Sequence, residues 1–236
     1  MDRTAGADRM RLLRRVAFWG TVVVSAKVFL SILYQYRWYF PPDFDASPFL
    51  AGRRFTFAGI YVPAFYLHLF VGPAALLIGT FLIFTGSRPR YRSAHRRSGK
   101  LLFAIVLLGV VPSGLVMSLQ AYAGPIAEIG FIVQSLLTGI TIVVAAQHAV
   151  KGNVVVHRRW AARCYILLWS PLLLRTIAGV LIVLNAESEW NYRLNAWGSW
   201  LVPLLIYEGV LWQNARSSPK VGPHRLAAHR LETHDA

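Results

Sequence analysis

Residues 63–85 read PAFYLHLFVGPAALLIGTFLIFT, and residues 86–100 read GSRPRYRSAHRRSGK. The first stretch contains no Asp, Glu, Lys or Arg; the second contains six Lys and Arg and no acid. A helix of that length rises about 35 Å, enough to cross a hydrocarbon layer of about 30 Å. Backbone amides inside that layer find no water, so a lone apolar stretch is forced into helix. The basic stretch that follows belongs at the aqueous edge.

The same alternation repeats along the chain. Apolar runs near residues 17–37, 63–85, 101–121, 129–150, 163–185 and 197–214 predict six transmembrane helices. The expected fold class is therefore all-α, a polytopic transmembrane helical bundle. Residues 1–16 form a basic N-terminal segment, 17–214 the transmembrane domain, and 215–236 a polar tail rich in His, Arg and Ala that reads as disordered. The first run follows Arg11, Arg14 and Arg15 as a signal sequence would. It exceeds a typical signal core and lacks a small-x-small cleavage site, so it reads as a retained span. Pro73, Pro112, Pro171 and Pro203 lie inside spans. Each predicts a kink, with the freed carbonyl met by a neighbouring helix.

Composition supports this class. Charged residues make up 15% of the chain, against about 25% in soluble domains. Most of the surface must then face something other than water. The net charge of +15 suggests nucleic acid at first sight. The basic residues are confined to short segments between apolar runs, with no soluble domain to carry them, so nucleic acid is excluded as a partner. The lone Cys164 rules out an internal disulfide framework and reads as a quiet apolar thiol.

Charge also predicts orientation. Nineteen Lys and Arg fall on one side: five before the first span, six in loop 86–100, four in loop 151–163 and four after the last span. Four fall on the other side: Arg37, Arg53, Arg54 and Arg193. The positive-inside rule then places both termini in the cytoplasm. Tyr34, Tyr36, Trp38, Tyr39 and Phe40, with Trp190, Tyr192, Trp197 and Trp200, read as the outer aromatic belt; Trp160 and Trp212 mark the inner edge.

Chemistry-bearing residues inside spans are few. His68, Gly72, Ala75, Gly79 and Gly86 fall within about 40° of one line at about 100° per residue, which aims His68 at the bundle interior. It reads either as a core histidine on a carbonyl or hydroxyl, or as a ligand or proton-transfer group. Gln134, Thr138, Thr141, Ala145 and His148 form a polar stripe, suited to interhelical hydrogen bonds or a hydrated cavity wall. Lys27, Arg175 and Glu208 are charged within spans, and pairing between Glu208 and one of the cations is expected. His68, Arg175, Lys27 and Glu208 together make the candidate interior polar site.

Two triplets, His95-Arg96-Arg97 and His157-Arg158-Arg159, each precede an apolar run on the basic side. His148 ends a span on the same side. Three imidazoles can hold a metal, but ten cationic residues and no acid in the two loops repel a cation and attract an anion. The triplets read as an anion or lipid-headgroup rim, and no metal site is predicted. Haem ligation by His148 with His95 or His157 is the alternative, with arginines for the propionates. No GxSxG, HExxH, P-loop or CxxC pattern occurs.

The stretch from His68 to Arg175 resembles a bacterial family of predicted membrane proteins, domain of unknown function 2306. The shared features are His68 with Gly72 and Gly79, the loop His95-Arg96-Arg97-Ser98-Gly99, and Lys151-Gly152-Asn153 leading to His157-Arg158-Arg159-Trp160 and Arg163. Leu174-Arg175 follows at the family's Leu-Arg position; Ala161 stands where the family has Met. The resemblance implies a multi-span protein of a bacterial cytoplasmic (inner) membrane and carries no established activity.

The sequence thus points to a non-enzymatic bundle in contact with anionic lipid headgroups. It binds or moves a small solute or anionic ligand, without a required cofactor. The alternative is a membrane redox protein using b-type haem or a quinone. The orientation is checked by reporter fusions. A fluorescent protein after Ala236 should fluoresce and alkaline phosphatase after Glu187 should be active; the reverse pattern would invert the topology.

Overall fold

The computed structural model describes residues 3–217. The end of the polar tail, with His224, His229 and His234, lies outside the described residues. Six long helices make up the molecule, and no strand occurs among the described residues. They are α1 (Arg3–Tyr34), α2 (Tyr61–Thr85), α3 (Pro89–Ser118), α4 (Pro125–Val150), α5 (Val154–Val183) and α6 (Glu189–Ser217). The first five are long and apolar enough to cross a membrane. The sixth predicted span is present as α6, less apolar, and packed along α4 and α5.

The chain is a membrane protein in which, from α2 onward, helices that are neighbours in sequence are neighbours in space. α5 contacts α4, α6, α2 and α1, and so occupies the centre of the contact network. Short turns impose this order. Between α4 and α5, Gly152 takes a φ of +73° that an L side chain rarely adopts. Asn153 then caps α5, its side chain accepting from the Val156 amide at 3.3 Å. The Lys151-Gly152-Asn153 motif is therefore a tight antiparallel reversal.

All the long connections lie at one end of the bundle, here called the loop end. The 39–60 segment covers it. Tyr39, Leu50, Tyr61 and Phe65 form a buried cluster there, and Phe49 stacks on Phe65 with centroids 5.5 Å apart. Asp43 accepts from the Asp45 and Ala46 amides, which fixes a turn and holds its carboxyl below the usual range. The other end, called the basic end, carries both histidine-arginine triplets. A second cluster, Ala75, Leu102, Val106, Ile142, Cys164 and Leu168, fills the bundle on that side.

The small-residue face of α2 does what its spacing predicts. Ala75 and Gly79 are buried, and a Cβ at Gly79 would stand 3.2 Å from the Tyr165 ring. Thr80 and Tyr165 share a hydrogen bond of 3.0 Å beside it. α2 and α5 thus meet closely because Gly79 has no side chain. Gly79→Leu should overpack this crossing and cost about 1–3 kcal/mol, seen as a lower thermal midpoint in detergent. An unchanged midpoint would show that the seam tolerates bulk.

Candidate interior binding site

Proline positions organise the interior. Pro73 lacks an N–H, so the Leu69 carbonyl one turn earlier has no ladder donor. The Tyr36 hydroxyl, from the 3₁₀ turn Gln35–Trp38 that continues α1, donates to that carbonyl. Pro171 likewise frees the Leu167 carbonyl, which accepts from Ser170 Oγ at 2.8 Å and from Gln134 Nε2 at 3.3 Å. Gln134 also reaches the Ser170 hydroxyl. The expectation that neighbouring helices would meet the freed carbonyls holds at both prolines. In α3, five residues, Val106–Val110, are wound as π-helix just before Pro112. A widened turn of this kind is common where helices build functional sites.

These irregular turns surround a cavity of about 270 Å³ in the loop-end half of the bundle. Helix-borne residues from all six helices reach its wall, among them Phe29, His68, Gly114, Gln134, Arg175 and Tyr192. The loop adds Tyr39, Phe49 and Arg53.

His68 faces Ser113 across the cavity wall, Nδ1 to Oγ 2.9 Å. Ser113 spends its only proton on the Gly109 carbonyl at 2.6 Å. With that proton so placed, Nδ1 is the donor to the Ser113 oxygen. That assignment leaves Nε2 as an acceptor. A Cβ at Gly72 would stand 3.8 Å from Nε2, so the ring lies over α2's own glycine.

Arg175 is the site's unbalanced charge. Among the described residues no Asp or Glu lies within ion-pair distance of it. Its guanidinium makes one long contact, to the Pro171 carbonyl at 3.5 Å. Its electrostatic neighbours are the phenols of Tyr36, Tyr39 and Tyr192. Burial pushes the Tyr39 hydroxyl up from its ordinary pKa, so it stays a neutral donor. A second cation, Arg53, closes the loop end of the cavity. It donates to the Gln120 carbonyl at 2.8 Å and lies 4.9 Å from the Phe49 ring centroid. It too has no carboxylate partner among the described residues.

Two expected members of the interior site are elsewhere. Glu208 pairs with Arg163, Nε–Oε1 2.6 Å and Nη2–Oε2 2.8 Å, and not with Lys27 or Arg175. The reason is depth. Glu208 lies about 28 Å along α6 from the loop end, whereas Arg175 lies about 12 Å along α5 from it. Arg163 sits at Glu208's level, where Trp160 and Tyr207 flank its guanidinium. Lys27 is exposed on α1, on the side away from the bundle. The α1 face that turns inward is Phe29, Ile32 and Tyr36, and Lys27 is off that face.

At the basic end the triplets divide by residue type. Arg96, Arg97, Arg158 and Arg159 are exposed. His95 turns inward to Thr85 at 3.5 Å, and His157 Nδ1 donates to the Ala145 carbonyl at 2.8 Å. His148 Nδ1 is buried without a protein partner. Among the described residues no three His, Cys, Asp or Glu side chains come together as a metal-holding set. The histidines tie helix ends together, while the arginines form the rim.

Sequence reasoning found His68, Gln134 and Arg175 but missed Arg53 and the tyrosines as wall residues and Ser113 as the partner of His68. Tyr36, Tyr39 and Tyr192 carry the pattern of an interfacial belt, and Arg53 counts as a topological charge. Only Tyr36 offered a signal, because it shares a helical face with Phe29 and Ile32.

Residues 65–211 match the family described as Predicted membrane protein (DUF2306). The match covers more than half of the chain, and the protein belongs to that family. No curated protein and no solved structure gives a match.

Proposed function

We propose that this DUF2306 protein binds, and holds or passes, a small organic anion at the cavity around Arg175 and His68. We place it in a bacterial cytoplasmic membrane with both termini in the cytoplasm, so that the cavity opens in the outer half of the bilayer. The observation that carries the reading is Arg175, a guanidinium at membrane depth whose neighbours are hydroxyls and no carboxylate. An uncompensated charge in hydrocarbon costs several kcal/mol, so a structural role alone would favour a paired or apolar residue there.

The chemistry follows from the donor set. A guanidinium fork takes two oxygens of one carboxylate or phosphonate at once. Tyr192 supplies a hydroxyl beside it, while the Tyr36 and Tyr39 hydroxyls donate to the Leu69 carbonyl and to Gln35 Oε1 and offer the ligand their oxygens' polar environment only. Arg53 adds a second positive centre at the loop end. His68, with Nδ1 committed to Ser113, accepts a hydroxyl of the ligand or a bridging water through Nε2. The exposed basic rim belongs to anionic lipid headgroups at the opposite surface.

Thermal unfolding of the detergent-purified protein tests this with short carboxylates, phosphonates and their neutral methyl esters. A ligand at a hundredfold its Kd should stabilise the native state by about 2.7 kcal/mol. An acid should raise the midpoint where its ester does not, and Arg175→Gln should abolish that shift. Equal shifts from acids and esters would sink the reading. An absorbance spectrum of the same sample decides the redox alternative: a Soret band that moves on reduction would favour haem.

A further inference from the structure

The cavity lies between two buried clusters and against one thinly packed helix. Over it, Tyr39, Leu50, Tyr61 and Phe65 are buried against one another. Beneath it, the cluster of Ala75, Leu102, Val106, Ile142, Cys164 and Leu168 fills the bundle. The thinly packed helix is α1. None of its described residues is buried, although Phe29 and Ile32 line the cavity. α1 packs on α5 and forms no comparable seam with α2. Its 3₁₀ extension is tied to α2 through Tyr36 on the Leu69 carbonyl and through the Tyr36–Phe70 ring pair. Below that tie, Phe29 and Ile32 of α1 and Gly72, Pro73 and Leu76 of α2 all line the cavity.

The lining is polarised in the same direction. Arg53, Tyr39, Tyr61 and Tyr192 stand near the loop end, with Arg175 below them. The seam is wholly apolar at Phe29, Ile32, Pro73 and Leu76. The volume of about 270 Å³ is below the range of about 300–1,000 Å³ typical for a whole drug-sized ligand. An anionic head and the first few carbons of a chain fit inside; a longer chain must leave. Apolar atoms leave at lowest cost where the wall is apolar and lipid lies beyond it.

The geometry points to a long-chain monocarboxylate as the ligand, its head on Arg175 and its chain passing between α1 and α2 into the bilayer. This rests on the anion-binding reading and goes further by naming the ligand class and the route. A monoanion pairs with the less engaged of the two cations. Arg175 has one weak backbone contact, while Arg53 is already engaged by the Gln120 carbonyl and the Phe49 ring. One seam admits one chain, which selects a single-chain amphiphile over a two-chain lipid.

The test uses full-length protein in nanodiscs of a zwitterionic lipid and a sixteen-carbon carboxylate bearing a mid-chain diazirine. Photolysis should label residues around Phe29, Ile32 and Leu76, and Arg175→Gln should lower that labelling at least tenfold. Labelling spread over all lipid-facing helices, equal in wild type and Arg175→Gln, would overturn the proposal. Ile32→Trp, which adds bulk at the seam, should weaken competition by dodecanoate at least tenfold more than it weakens the response to butyrate. If Ile32→Trp weakens both probes alike, the seam is not the route. A butyrate shift that depends on Arg175 together with unselective labelling rejects this inference and leaves the anion site standing. Loss of both rejects the anion site itself.

Discussion

Every backbone carbonyl and amide in the membrane must find a partner inside the protein. That constraint makes the chain helical, and it decides what happens where proline breaks the ladder. Pro73 and Pro171 each remove one donor, at Leu69 and Leu167. The repair comes from different elements: a Tyr36 hydroxyl brought by the end of α1, and a Gln134 amide brought by α4 with Ser170 beside it. The π-wound turn before Pro112 adds a third irregularity at Ser113 and His68. The cavity lies among these repairs. Polar side chains recruited for backbone satisfaction thus form part of the polar lining of the cavity.

The charges separate by depth and by partner. Arg163 and Glu208 neutralise each other in the basic half, with aromatic rings around the guanidinium. In the loop-end half, Arg53 and Arg175 have carbonyls, phenols and a ring, but no acid among the described residues. The first arrangement is electrically complete. The second carries net positive charge in a low-dielectric enclosure, where an anion gains most from a fixed guanidinium. Two membrane arginines twelve residues apart on one helix thus differ in kind, one neutralised by a carboxylate and one not.

The histidines divide in the same way, between helix-end contacts and one cavity-lining ring. His157 donates to Ala145 across the α4–α5 turn, and His95 turns toward Thr85 across the α2–α3 turn. The repeated triplet therefore reflects a repeated task, closing the basic end of successive helix pairs, with the arginines left at the surface. His68 differs because its neighbour Ser113 has already spent its proton, which commits one imidazole nitrogen and leaves the other to the cavity side.

The six helices, their order, the membrane assignment and the inward aim of His68 were legible in the sequence. Length, hydropathy and helical periodicity act locally, and the bilayer leaves one backbone solution. Gly79 was legible for the same reason, since its face follows from spacing along α2. The partner of Glu208 was not, because a depth difference of about 16 Å between two helices depends on where each helix begins and how it packs. Neither was the wall of tyrosines, since an aromatic at a span end reads as an interface anchor until the loop folds back over it. The outward turn of Lys27 and the thin seam beside α1 also came only from packing. The sequence by itself determined which segments are helices long and apolar enough to span a membrane, because that is a property of each segment. Which charges meet and where a cavity remains were decided by tertiary structure, because those are properties of pairs of helices.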